Sequence, residues 1–117
     1  MTSPPQPVNL FADLAVPAAG ERFETLLRRG RLEIERIVSS ARPDVGLYDQ
    51  KQDEWVVLLE GQAVLEVSGD RVPLTRGDAL FLPAHTAHRV LETSEGALWL
   101  AVHLHPAQPD PALGEVP

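Results

Sequence analysis

The chain has 117 residues, 17 acidic against 10 basic, and a formal net charge of −7 with its histidines neutral. That length suits one domain with one core, 44% hydrophobic residues is too many for a disordered chain, and the acidity disfavours a phosphate-backbone partner. There is no cysteine, which excludes disulfides and thiolate chemistry, and the longest purely apolar run, residues 97–102, falls far short of the roughly 20 residues a membrane span needs. No Lys or Arg occurs in the first 20 residues, against a secretory signal, so a cytoplasmic protein without nucleic-acid or membrane partners is expected.

Residues 1–20 carry Pro4, Pro5, Pro7 and Pro17 and read as an extended arm, in which Val8, Leu10 and Phe11 could dock on a sheet edge or a partner. Residues 21–29 predict one short helix, with Phe23, Leu26 and Leu27 on one face, acids at its start, arginines at its end and Gly30 as the stop. Arg28, Arg29 and Arg31 then form a solvated helix end rather than a nucleic-acid patch. From Arg31 the period changes to two, predicting a strand to about Ser40. Residues 55–59 are continuously apolar, as expected of a strand buried on both faces. Ser68-Gly69-Asp70 between residues 63–67 and 71–74 is a hairpin signal. Further strands are expected at residues 79–82, 88–92 and 97–104, with turns at Gly77 and Gly96. Prolines at 106, 109, 111 and 117 mark a tail. Short strands at this spacing predict an all-β antiparallel sandwich or barrel over residues 21–105.

Two stretches suggest a family. Glu54 and Gly61 are separated by six residues, with Tyr48 and Gln50 just upstream. Gly77, Pro83 and His88 recur downstream, with His85 and Glu92 among and after them. Together they resemble the two motifs of the cupin superfamily, a small single-domain cupin with a divergent first motif. In that family Tyr48 and Gln50 would be a His-x-His pair, His85 would be glycine and Glu92 asparagine. The resemblance implies a jelly-roll barrel, also described as a double-stranded β-helix, and a homodimer.

It also assigns a metal-site role to Tyr48, Gln50, Glu54 and His88, of which only Glu54 and His88 keep the family's ligand type. All four histidines, His85, His88, His103 and His105, lie within 21 residues, and His103 shares a strand face with Trp99 and Ala101. If that face looks inward, His103 could join His88 and Glu54 around a metal. The candidate metal set is thus Gln50, Glu54, His88 and His103, for zinc, iron, manganese or nickel. Tyr48, His85 and Glu92 are candidates for a ligand pocket. Two functions stay open: a divalent-metal-binding cupin, or metal-dependent enzyme, acting on a small polar metabolite, and a metal-free module that binds or senses one.

Overall fold

The computed structural model describes residues 3–107. These form eight strands: β1 (Glu21–Arg29), β2 (Leu32–Ser39), β3 (Asp53–Glu60), β4 (Gln62–Val67), β5 (Asp70–Thr75), β6 (Ala79–Leu82), β7 (His88–Thr93) and β8 (Ala97–Leu104). They build two antiparallel sheets, ordered β1-β2-β8-β3-β6 and β5-β4-β7. The expected jelly-roll barrel is present. Residues 108–117, most of the proline-rich tail, lie outside the described residues.

Residues 21–29 correct the expectation of a helix. They turn at Gly30, whose φ is +58°, and pair with β2 along their whole length. The acids and arginines that suggested helix ends are matched across this hairpin instead. Glu24 lies opposite Arg36, and Arg28 opposite Glu33, with Arg28 Nη2 2.8 Å from Glu33 Oε2. The helical spacing of Leu26 and Leu27 arises from a register shift between Thr25 and Leu27 that sets Leu26 apart in the ladder. Cross-strand bonding outweighs the local pattern.

The core lies between the sheets. Val56 and Leu58 of β3, Ile37 of β2 and Trp99 and Ala101 of β8 face Ala63 and Leu65 of β4, Leu74 of β5 and Val90 of β7. Leu58 and Leu98 have no exposed surface, and burying such a side chain stabilises by about 1.5–3 kcal/mol. Residues 55–59 are not buried on both faces, however. Val56 and Leu58 point inward, whereas Trp55 on the outer face stays exposed opposite Phe81 of β6.

Only glycine serves at position 61. Its φ is +94°, and a Cβ there would stand 2.6 Å from Ser94 Oγ and 3.0 Å from Ala97 Cα. Pro73, lacking an N–H, sits on β5, an edge strand of its sheet, where the ladder tolerates it. The N-terminal arm returns over the outer face of β2. There Arg36 Nη1 donates to the carbonyl oxygens of Asn9, Leu10 and Ala12 while the guanidinium pairs with Glu24. This cover explains why Arg36 and Val38 are buried on the side of β2 that faces away from the core.

Candidate functional site

A cavity of about 80 Å³ opens between the sheets. It is smaller than the roughly 150 Å³ that accepts benzene, so it suits the end group of a molecule better than a whole sugar. Phe23 and Tyr48, both exposed, form part of its rim, and Trp99, Val56, Leu65 and Val90 form an apolar wall. Its polar lining is Glu21, Glu35, Tyr48, Gln50, Glu54, His88 and His103.

Strand register brings these groups together. Glu54 and His103 are direct partners across β3 and β8, and both are buried. The loop before β3 is clipped to the turn before β7. Tyr48 N donates to His88 O at 2.7 Å, His88 N to Tyr48 O at 3.0 Å, and His85 N to Gln50 O at 2.7 Å. Asp53 Oδ1 accepts from Ala84 N at 2.8 Å in the same turn. This double clip stacks the Tyr48 ring on His88, with centroids 5.6 Å apart, and delivers Gln50 Nε2 to Glu54 Oε1 at 2.8 Å.

The two histidines of the cavity are held differently. His88 Nδ1 lies 2.9 Å from the carbonyl oxygen of Thr86, which can only accept. The ring therefore carries its proton on Nδ1 and offers the Nε2 lone pair to the cavity. His103 has both nitrogens engaged, Nε2 with Glu35 Oε1 at 2.7 Å and Nδ1 with the Gln52 amide at 3.3 Å. Burial works against its protonation, but the Glu35 hydrogen bond and the charges of Glu54, Glu35 and Glu33 together raise its pKa. The Gln52 amide can present its oxygen to that imidazolium and its nitrogen to the neutral ring.

Glu21 and Glu35 are cavity residues that sequence reasoning missed. Glu21 Oε2 accepts from Ser39 Oγ at 2.7 Å, and burial, reinforced by the charges of Glu54, Glu35 and Asp44, raises its pKa. Glu21 was hidden by the helix expectation. Glu35 had a usable signal, since it shares the strand face of Ile37, but the opposite face of β2 looks as apolar in sequence.

Two pocket candidates lie elsewhere. Glu92 is exposed on the outer surface, 3.0 Å from Arg71 Nη2. Simple alternation from His88 and Val90 would turn it inward, but a register shift against β4 between Val64 and Leu65 reverses the parity, and Thr93 is buried instead. His85, with φ +62°, sits exposed in the turn, its Nδ1 2.9 Å from Asp49 Oδ1. His105 is half-buried against Glu33 Oε1 at 2.8 Å, a bond that chiefly holds the Glu33 carboxyl below its usual range.

The family model for the cupin domain matches residues 46–105, which carry both motifs and most of these groups. The chain belongs to the cupin superfamily. This cupin is similar to a crystal structure of a Ralstonia eutropha JMP134 protein, provisionally a mannose-6-phosphate isomerase. The two share 45% identity and a TM-score of 0.78 over 87% of this chain and 100% of that one. It is also 29% identical over 69 residues to the polyketide synthase CurC of Streptomyces cyaneus, and 32% identical over 69 residues to the tetracenomycin polyketide synthase protein TcmJ of Streptomyces glaucescens. These matches cover 59% of this chain but only 45% and 46% of the relatives, so the chain spans about half their length. No helix among the described residues is long and apolar enough to cross a membrane.

Cupins commonly bind divalent metals, yet the donors gathered here do not fit a resident transition metal. Burial, with the charges of Glu21, Asp44 and Glu54, pushes the Tyr48 phenol up, so with no metal beside it the phenol stays protonated. Gln50 donates its amide nitrogen to Glu54 and has only a neutral amide oxygen to offer, and both nitrogens of His103 are engaged. Among the described residues no three His, Asp or Glu side chains are grouped to hold an ion.

Proposed function

We propose that this cupin binds the end of a small polar molecule in its barrel without a resident metal. The observation that carries this reading is the His88 imidazole. It is buried, oriented by the Thr86 carbonyl and by stacking on Tyr48, and turns an available Nε2 into a cavity walled by Trp99, Val56 and Val90. A histidine with a fixed tautomer and a free lone pair accepts a hydrogen bond or a proton near neutral pH. The Tyr48 hydroxyl, kept protonated, is a donor at the rim. The apolar wall lowers the local dielectric around His88 and strengthens its contact. His88 is therefore the group that would take a proton from a bound substrate. The names of the relatives range from isomerase to polyketide synthase, which supports a small-molecule ligand and favours no single reaction.

The divalent-metal reading through Gln50, Glu54, His88 and His103 makes the opposite prediction, so one experiment separates the two. Chelator-treated protein is screened by NMR against a panel of small polar metabolites, with elemental analysis of the untreated protein in parallel. A metabolite that shifts the His88 ring signals in metal-free protein is the expected result. Near-stoichiometric metal, lost in both Glu54→Gln and His88→Ala, would replace this reading with the metal-dependent one. A homodimer belongs to the proposal too, because Trp55 and Phe81 pair on the outer face and are 44% and 56% exposed. Light scattering that reports a monomer at micromolar concentration would remove it.

A further inference from the structure

The charge inside the barrel discriminates among small molecules. As a metabolite site, the reading proposed above, the cavity selects its occupant by charge. Its lining contains Glu21, Glu35 and Glu54 and neither lysine nor arginine. His103 is hydrogen-bonded to one carboxylate, Glu35, which draws it towards its charged form. Arg36 on β2 points the other way, spent on Glu24 and the carbonyls of the arm.

Hydrogen-bonding capacity is equally one-sided. Gln50 engages one oxygen of Glu54, and Ser39 one oxygen of Glu21. The other oxygen of each has no partner among the described residues. His88, only 8% exposed, adds the unpartnered Nε2 acceptor, with Nδ1 already committed to Thr86. Against these acceptors stand few donors, chiefly the Tyr48 hydroxyl and the second N–H of Gln50. The cavity is negative and rich in acceptors.

We propose that the barrel takes the protonated amine end of a small molecule and rejects phosphate and carboxylate groups. An ammonium brings one positive charge and N–H donors, the complement of a lining that carries carboxylates and acceptors and neither lysine nor arginine. The carbon skeleton then lies along Val56, Val90 and Trp99 towards the Tyr48 rim. The raised pKa of Glu21, due first to burial and then to neighbouring carboxylates, reflects the same crowding of negative charge that a bound cation relieves. A sugar phosphate, the ligand named for the Ralstonia eutropha relative, would meet three carboxylates and no cationic side chain but His103.

The test uses the full chain, freed of metal, and three probes of matched size: ethanolamine, ethylene glycol and glycolate. Binding near neutral pH is followed through the His88 ring and Trp99 indole signals. Ethanolamine is expected to bind about tenfold or more tighter than ethylene glycol, as a charge-assisted hydrogen bond implies, and to weaken with salt. Glycolate is expected to cause no shift. Glu54→Gln and Glu21→Gln, two variants in case one fails to fold, should each largely erase the preference for the amine. Glu60→Gln, which removes an equal charge outside the cavity, should preserve it. Ethylene glycol or glycolate binding as tightly as ethanolamine would overturn the charge selection and leave the metabolite site standing. No response to any probe would overturn both. Zinc shifting His88 where ethanolamine does not, with the response lost in Glu54→Gln, would overturn this proposal in favour of a metal site.

Discussion

The β7 wall and the β8 wall of the cavity each contribute one buried histidine, and the two are chemically opposite. His88 is anchored through a backbone carbonyl and open at Nε2, whereas His103 is closed at both nitrogens and drawn towards its charged form by Glu35. Residue type and burial are the same, so the partners decide the role. A carbonyl leaves a histidine available for ligand; a carboxylate makes it part of the scaffold.

The largest way to break this contrast is Glu35→Ala. It leaves His103 Nε2 buried without its acceptor and should lower stability by about 2–3 kcal/mol in urea unfolding, while the His103 pKa falls in an NMR titration. An unchanged His103 titration would show that Glu35 does not set its state. His88→Ala removes one hydrogen bond to a backbone carbonyl and a stacked ring, so its cost should be smaller, about 1 kcal/mol, although metabolite binding should be lost. Equal losses of stability in the two variants would erase the distinction between scaffold and site.

The pH dependence sharpens the comparison further. The folded pKa of His103 lies above its ordinary value of about 6.5. Its charged form thus contributes fully below about pH 6.5, and that stability is lost as pH rises through the folded pKa. Glu21 acts with the same sign from lower pH, since its raised pKa also makes folding bind more protons. Urea midpoints should therefore fall from mildly acidic to alkaline pH in the wild type, with a shallower fall in Glu35→Ala. The smallest expected effect is that of chelator: without a resident metal, EDTA should leave Tm unchanged.

Much of the fold was legible in the chain because its signals are local. The Ser68-Gly69 turn has φ of +49° and +87°, as a tight hairpin requires, and β4 and β5 flank it as the alternation predicts. The runs bounded by Gly77, Pro83 and Gly96, read as strands at 79–82, 88–92 and 97–104, correspond to β6, β7 and β8, with β7 one residue longer at Thr93. Residues 21–29 failed as a helix because a nine-residue segment carries too little local preference to resist a complete ladder with β2. Glu92 left the cavity for a similar reason. One bulge reverses a face, and nothing at residues 88–93 reveals it.

The sequence by itself pointed to the family, the number of strands in its second half and five of the cavity's polar groups, Tyr48, Gln50, Glu54, His88 and His103. Motif spacing and two-residue alternation are properties of neighbouring residues, and they survive in a linear reading. Tertiary structure alone decided that Glu21 and Glu35 join them, that Glu92 does not, and that His103 is engaged while His88 is available. Those outcomes depend on register and on the partner found across a strand pair, and both are set only when the sheets close.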